Sequence, residues 1–244
     1  MRIAATIAAA AAGLLSLGLG GQAAAVPYVF AFDEPREGGS QEAGSYEALS
    51  FAYDDEGPVL DVSGSVRLNT ANGTISGGWF ALTPGGDPRE TDEQVAIFYM
   101  DFVSGRVSAY RYDGRQGETG GVDSWQQDDL FIATWANAIT TSVTDGVLSF
   151  SIPDLDVTAV QNASSDAGWT GVSFAERVGI WLHLTPLQEI AFDAEGKLTA
   201  YRTGVLASFD APNAGTTAMP LPGAALFVLT GLAGLAALRG RRAA

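Results

Sequence analysis

The amino-acid sequence predicts an all-β domain, a jelly-roll-like antiparallel β-sandwich, over residues 26–210. Short segments of alternating or β-rich apolar residues recur through this stretch, and no segment shows the period of about 3.6 residues of an amphipathic helix. Turn pairs such as Asn72-Gly73 and Asp145-Gly146 separate several of the segments. So many short strands with hairpin spacing favour two packed sheets over a barrel.

The predicted strands follow one another along the whole of this stretch. Their bounds are 28–32, 47–53, 59–68, 74–82, 94–102, 106–112, 130–135, 138–143, 147–152, 178–184, 189–192, 197–202 and 205–209. Two sheets packed face to face should bury the large apolar side chains of these strands between them. The predicted core comprises Phe51, Trp79, Phe98, Phe131, Phe150, Ile180 and Trp181.

Three sequence blocks in the first half of the domain recur in the same order in the second half. The first set is Gly78-Trp79, 95–98 and 105–111, and the second is Gly168-Trp169, 178–181 and 196–202. A duplicated half-sandwich would produce this order. Hairpins within one sandwich also resemble one another, so both interpretations stay open.

The charge of the chain is strongly acidic. It has 28 Asp and Glu against 13 Lys and Arg, one His and no Cys, for a net charge of −15. This field disfavours binding to nucleic acids and to anionic membranes, which require basic residues on phosphates. The absence of Cys excludes disulfides and thiol chemistry. The acidic residues serve either as a solvated surface or as a site for cations.

The first 25 residues have the layout of a secretory signal peptide. Arg2 precedes an apolar stretch over 3–19, and small residues lead up to Ala25. We therefore expect the Sec-type export machinery to handle the chain and cleavage to separate Ala25 from Val26. An uncleaved membrane anchor is the alternative.

The C-terminal segment 220–244 contains a second apolar stretch. Residues 221–238 are uncharged and long enough to form one transmembrane helix. Three basic residues follow directly: Arg239, Arg241 and Arg242. They predict a cytoplasmic C-terminus, with the β-domain on the other side of the membrane. Residues 211–219 are predicted to form a flexible tether between the domain and this helix.

The segment around Met219-Pro220-Leu221-Pro222-Gly223, with the apolar helix and arginines behind it, resembles a known sorting signal. Residues 218–244 are similar to the VPLPA variant of the PEP-CTERM signal, from which Met219 and Gly223 depart. The resemblance implies processing at Pro220, Leu221 and Pro222 by an exosortase-type enzyme in the inner membrane of a Gram-negative bacterium. The mature protein would then reach the cell surface or an exopolysaccharide matrix. A plain anchor that is never cut is the alternative.

The middle domain faintly resembles an uncharacterised exported domain of PEP-CTERM proteins. The resemblance is carried by the Gly-Gly-Trp-Phe sequence at 77–80 and the Val-Gly-Ile-Trp sequence at 178–181. That family has no assigned chemistry, so the resemblance implies no activity.

Catalytic patterns are weak in this sequence. No Gly-x-Ser-x-Gly elbow is present, and the single histidine, His183, lies in a predicted strand as a structural side chain. Glycoside hydrolysis needs two carboxyl groups about 5–10 Å apart. Glu93, Asp101 and Asp193 are available for it, without a recognisable spacing.

One glycine-rich loop could hold a ligand. Residues 113–129 contain Asp123, Asp128 and Asp129, whose oxygens could bind calcium, and Trp125, which could stack on a sugar. These residues are weak candidates, and a solvated loop without a ligand is the favoured interpretation. The sequence predicts no cofactor beyond this calcium.

Two functional classes follow from these patterns. The first is an exported, non-catalytic surface or matrix protein that is structural or binds glycans or cations, with exopolysaccharide as a partner. The alternative is a secreted glycan-active hydrolase that uses a carboxylate pair.

Overall fold

The computed structural model describes residues 28–33, 39–54, 57–83, 95–112, 123–163 and 177–215. Several predicted features lie outside them. These are the signal peptide with its cleavage at Ala25 and Val26, the sorting signal with Pro220, Leu221 and Pro222, the basic residues Arg239, Arg241 and Arg242, and the candidate acid Glu93. Within the described part of the chain, no helix is long and apolar enough to cross a bilayer.

The described chain is built almost entirely of antiparallel strands, as the sequence predicts. In order, the strands are β1 (Tyr28–Asp33), β2 (Gly44–Asp54), β3 (Val59–Leu68), β4 (Gly77–Thr83), β5 (Val95–Asp101), β6 (Arg106–Tyr112), β7 (Phe131–Trp135), β8 (Thr140–Thr144), β9 (Val147–Asp156), β10 (Arg177–Thr185), β11 (Leu187–Phe192), β12 (Leu198–Thr203) and β13 (Ala207–Gly215). Helix α1 (Thr158–Asn162) and three single-turn helices at Thr70–Asn72, Ser124–Gln126 and Asp128–Leu130 complete the described elements.

The strands form three antiparallel sheets. The five-stranded sheet has the order β1-β2-β3-β9-β8, and the six-stranded sheet has the order β13-β10-β4-β5-β6-β7. The remaining pair, β11 and β12, forms a separate hairpin sheet. Each predicted strand corresponds to an observed one, and the bounds of β3 and β6 match the prediction at both ends.

The last strand is longer than the sequence predicts. We expected it to end at residue 209 and a tether to begin at 211, but β13 runs to Gly215. Ala211 lies opposite Ile180, and Gly215 lies opposite Arg177 on β10. The first five residues of the predicted tether, 211–215, are therefore part of the sheet, because their backbone pairs with β10.

The main core lies between the two large sheets. Along β4, β5 and β10, alternate residues point towards it, among them Phe80, Phe98 and Ile180. The rings of Phe51 on β2 and Phe80 on β4 have their centroids 6.0 Å apart, which joins the two sheets. Phe150 on β9 belongs to the same cluster.

A second apolar cluster covers the opposite face of the six-stranded sheet. Its buried residues are Trp79, Ala81, Ile97, Tyr99, Tyr110 and Leu198. The hairpin of β11 and β12 and the two turns near residues 124–130 contribute Ile190, Phe192, Tyr201, Trp125 and Leu130 to it.

Three residues of the predicted core belong to this second cluster instead. Trp79, Phe131 and Trp181 lie on the face that points away from the five-stranded sheet. Strand β4 is buried along its whole length, so both of its faces are apolar and the sequence does not distinguish them. The prediction for all three residues was wrong, and the two apolar faces of β4 are the reason for Trp79. Trp181 directly follows Ile180 on β10, so the two side chains point to opposite faces of the sheet.

The recurring sequence blocks take different places in the fold. Strands β4, β5 and β6 are neighbours in the six-stranded sheet, whereas β12, which carries the last recurring block, belongs to the hairpin sheet. Strand β10 is itself a neighbour of β4. In the described part of the chain, the blocks therefore do not form two equivalent halves.

Candidate functional site

The hairpin of β11 and β12 is held against the outer face of the six-stranded sheet by polar contacts. The backbone N–H of Leu198 donates a 2.7 Å hydrogen bond to the hydroxyl of Tyr110. The hydroxyl of Ser108 donates to the carbonyl oxygen of Gly196 at 2.9 Å. The guanidinium of Arg106 lies 5.0 Å from the centroid of the Phe192 ring, at the distance of a cation–π contact. The hairpin is thus a fixed wall beside the sheet.

A cleft of about 370 Å³ opens where this wall meets strand β10. It lies at the small end of the range for ligand sites, about 300–1,000 Å³. Its described lining consists of Trp79, Asp123, Trp181, His183, Tyr201, Arg202, Thr203 and Leu206.

Two tryptophans and the histidine form the aromatic side of the cleft. Trp181 and His183 are two residues apart on β10 and share a face, and Trp79 is the cross-strand partner of His183. The ring centroids of Trp79 and Trp181 lie 4.8 Å apart at an interplanar angle of 89°. Trp79 and His183 are 4.3 Å apart. Trp79 is buried, while Trp181 is partly exposed, so Trp181 is the ring that a ligand can reach.

The close approach of β4 and β10 at this point depends on a glycine. A Cβ atom on Gly78 would lie 2.0 Å from the carbonyl oxygen of His183. No side chain fits there, so Gly78 lets the strands pair at the register that brings Trp79 against His183.

His183 is a neutral imidazole at neutral pH. Burial lowers the pKa of His183 to about 4, because the charged form loses its hydration between the two tryptophans. A neutral imidazole has one donor and one acceptor nitrogen. The sequence predicted a structural role for this residue, and its ring does pack on Trp79 and Trp181, but it also lines the cleft.

Tyr201 contributes a hydroxyl group that no described residue satisfies. Its ring packs edge-on against Tyr99 with the centroids 5.0 Å apart. The hydroxyl oxygen is buried and makes no hydrogen bond within the described part of the chain. Burial, and to a lesser degree the charge of Asp123, raises the pKa of Tyr201, so the phenol stays protonated.

The charged groups of the cleft lie at its rim. Arg202 is 65% exposed and lies 3.8 Å from the carboxylate of Glu189, which is 56% exposed. Asp123 also lines the cleft, and its carboxylate accepts a 3.3 Å hydrogen bond from the indole N–H of Trp125. Among the described lining residues, Asp123 carries the one carboxylate and Arg202 the one guanidinium.

The predicted ligand residues of the loop separate in the structure. Asp123 lines the cleft, and Trp125 packs on the second apolar cluster beside it. Asp128 has a 96% exposed side chain and lies 3.6 Å from the ammonium of Lys197, and Asp129 is exposed as well. No group of three His, Asp or Glu side chains suited to a metal ion occurs among the described residues. Residues 113–122 of the same loop lie outside them.

The two described candidates for a catalytic carboxylate pair have partners within turns. Asp101 is buried and accepts hydrogen bonds from the backbone N–H of Val103 at 2.9 Å and from the hydroxyl of Ser104 at 2.6 Å. Asp193 accepts a 2.8 Å hydrogen bond from the backbone N–H of Lys197. Neither lines the cleft. Both side chains fix the turns that join consecutive strands.

Most of the cleft has no signature in the sequence. Asp123 and Trp125 were predicted as ligand residues, whereas Trp79 and Trp181 were assigned to the core and Tyr201 had no predicted role. The usable signal was the spacing of Trp181 and His183, which puts two aromatic rings on one face of a strand.

No protein-family model, no curated protein and no solved structure matches the chain.

Proposed function

We propose that this chain is an exported, non-catalytic β-sandwich protein of a Gram-negative cell surface or extracellular matrix, and that its domain binds a glycan in the cleft beside β10. The observation that carries the binding proposal is the combination of the partly exposed Trp181 ring with the polar groups of Asp123, Tyr201 and Arg202 around one cavity. Aromatic faces stack on the apolar faces of sugar rings, and polar groups at the edge bind sugar hydroxyls.

The export and sorting part of the proposal rests on the ends of the sequence. A signal peptide over 1–25 and a tail resembling a PEP-CTERM signal over 218–244 are the expected labels of a chain that passes from Sec-type machinery to an exosortase-type enzyme. In this proposal the precursor is held in the inner membrane by the helix at 221–238. The mature protein is then released to the surface or to an exopolysaccharide matrix.

Glycan binding is tested by applying the purified full chain to a glycan array and to exopolysaccharide from the producing cells. We expect the parent chain to be retained. The Trp181→Ala variant should bind at least about tenfold more weakly, because the stacking surface is removed. Phe102→Ala is a matched control, since Phe102 packs on Phe150 in the other cluster. Equal retention of both variants and the parent chain would refute the cleft as the binding site.

The same preparation distinguishes binding from hydrolysis. A hydrolase with a carboxylate pair would release reducing sugar from the retained polysaccharide, whereas a binding protein leaves it intact. If turnover occurs and Asp123→Asn abolishes it, the alternative function replaces the binding proposal.

The sorting proposal is tested on the tail. Changing Pro220 and Pro222 to Ala should block processing and leave membrane insertion intact, because prolines keep this segment extended and accessible to an enzyme cleft. Pro212→Ala, an exposed proline of β13, is the control. If mass spectrometry finds the same shortened surface form for the double variant, the tail is a plain anchor.

The arginines are expected to fix the orientation of the same tail. Replacing Arg239, Arg241 and Arg242 with Asp should impair retention or orientation, because basic residues hold their end of the helix on the cytoplasmic side. The triple change to Lys keeps the charge and should preserve both. Protease accessibility of the β-domain in spheroplasts measures the orientation.

A further inference from the structure

The electrostatics of the cleft restrict the kind of sugar that it can accept. Its described lining carries one positive charge, on Arg202, and one negative charge, on Asp123, and the carboxylate of Glu189 lies 3.8 Å from the Arg202 guanidinium and offsets its charge. His183 contributes no positive charge near neutral pH, because burial keeps its pKa at about 4. The whole chain has a net charge of −15. An anionic ligand therefore meets repulsion both from the chain as a whole and from the rim.

The polar groups of the aromatic walls are uncharged and capable of both donating and accepting hydrogen bonds. The imidazole of His183 and the phenol of Tyr201 have this character. The Tyr201 hydroxyl is buried and has no partner among the described residues, a condition that costs free energy in the unbound protein. A ligand hydroxyl matches both functions of the phenol, because it too donates and accepts.

We infer that the cleft selects an uncharged sugar over the corresponding uronic acid, and that a hydroxyl of this sugar becomes the hydrogen-bond partner of Tyr201. The inference rests on the proposed glycan binding and names the class of glycan. The cavity of about 370 Å³ favours one or two sugar rings over a long chain segment. In this inference the sugar ring stacks on Trp181, and the Tyr201 side chain, which also lines the cleft, supplies the phenol for one of the sugar hydroxyls.

The selectivity is tested by calorimetric titration of the full chain with pairs of oligosaccharides of the same linkage that carry either a hydroxymethyl group or a carboxylate at C6. The probes are oligogalactosides against oligogalacturonate and oligomannosides against oligomannuronate. We expect the uncharged member of at least one pair to bind roughly tenfold more tightly in 20 mM salt. The difference should shrink in 500 mM salt, since screening weakens repulsion between exposed charges.

The outcomes separate this inference from the proposed function. If the uronic acids bind as tightly as the uncharged sugars or more tightly, the selectivity is refuted and glycan binding stands. If neither class binds and the glycan array also shows no retention, both the proposed function and the inference fail. Asp123→Asn removes one negative charge from the rim. It should reduce the difference in affinity between the uncharged sugar and the uronic acid of each pair.

The role of Tyr201 is tested with two matched substitutions. Tyr201→Phe should weaken binding of the uncharged sugar roughly five- to tenfold and leave the stability unchanged or increased, because it removes a buried hydroxyl without a partner. Tyr110→Phe makes the same change in the same cluster, but its hydroxyl already accepts a hydrogen bond from Leu198. That variant should lose stability, so opposite changes in stability distinguish the unbonded hydroxyl of Tyr201 from the bonded hydroxyl of Tyr110. Unchanged affinity in Tyr201→Phe would refute the assigned contact.

Discussion

The hydroxyl of Tyr110 on β6 accepts a 2.7 Å hydrogen bond from the backbone N–H of Leu198 at the start of β12. Both residues are buried in the cluster on the outer face of the six-stranded sheet, and burial raises the pKa of Tyr110 to about 12. This bond ties the hairpin sheet to the large sheet and fixes the wall of the cleft.

Removing the Tyr110 hydroxyl should destabilise the domain. In Tyr110→Phe, the buried N–H of Leu198 has lost its acceptor, which costs about 1–3 kcal/mol. Urea denaturation followed by tryptophan fluorescence measures the free energy of unfolding. An unfolding curve that coincides with that of the parent chain would show that the bond contributes nothing.

The pKa of His183 predicts a loss of stability in acid. Its pKa is about 4 in the folded chain against 6.5 in the reference state, so the unfolded chain binds the extra proton between these values. Stability should therefore fall as the pH drops from about 6.5 towards 4, by at most about 3 kcal/mol for this group.

The comparison with His183→Gln isolates that contribution. Glutamine has no titratable group, so the variant lacks the contribution of the imidazole. Between pH 7 and pH 4, the free energy of unfolding should fall by about 2–3 kcal/mol more in the parent chain than in the variant. Parallel stability profiles for the two proteins over this range would contradict the assigned burial.

Gly78 should not tolerate a side chain. An alanine there would put its Cβ 2.0 Å from the carbonyl oxygen of His183, where backbone and not a flexible side chain must give way. We expect Gly78→Ala to cost about 3 kcal/mol or more. Gly215→Ala is the control, because nothing lies within 4 Å of its added Cβ, and it should change stability by less than about 0.5 kcal/mol.

The observed end of β13 predicts where the folded domain ends. A chain that stops after Gly215 keeps the pairing of Ala214 with Val178, whereas one that stops after Asp210 loses it. The shorter chain should be less stable by about 1–3 kcal/mol, because backbone bonds and the burial of Ala214 are lost. Thermal melts of the two chains measure the difference. Equal melting temperatures would show that the stable domain ends at residue 210, as the sequence predicts.

The sequence was sufficient to predict where the strands lie along the chain, but it was insufficient to predict how they are arranged in space. Alternation puts Ile180 and Trp181 of β10 on opposite faces, so the prediction that placed both in one core was wrong. Alternation alone also does not say which face meets the other large sheet. On β4 the sequence Gly-Gly-Trp-Phe-Ala-Leu-Thr is buried on both faces, so Trp79 could be assigned to either side. The hairpin sheet of β11 and β12 supplies the cover that buries the second face, and such packing between distant segments has no local signature.

The cleft was even less accessible to prediction than the fold. Its residues come from β4, β10, β12 and the turn near residue 123, and their proximity depends on strand order and on how the hairpin folds over the sheet. Asp123 was recognised because its loop is unusual in composition. Tyr201 was not recognised, because nothing in the sequence shows that its hydroxyl is buried with no hydrogen-bond partner among the described residues.

Because β13 extends to Gly215, the folded domain ends only a short distance before the segment on which a processing enzyme would act. Four residues, 216–219, separate the last paired residue from Pro220. Even a fully extended chain of that length reaches only about 14 Å. In the sorting proposal, the processing enzyme must therefore work in the narrow gap between a folded domain and the membrane surface. Lengthening that gap with inserted residues should ease its access, and shortening it should obstruct processing by steric exclusion alone.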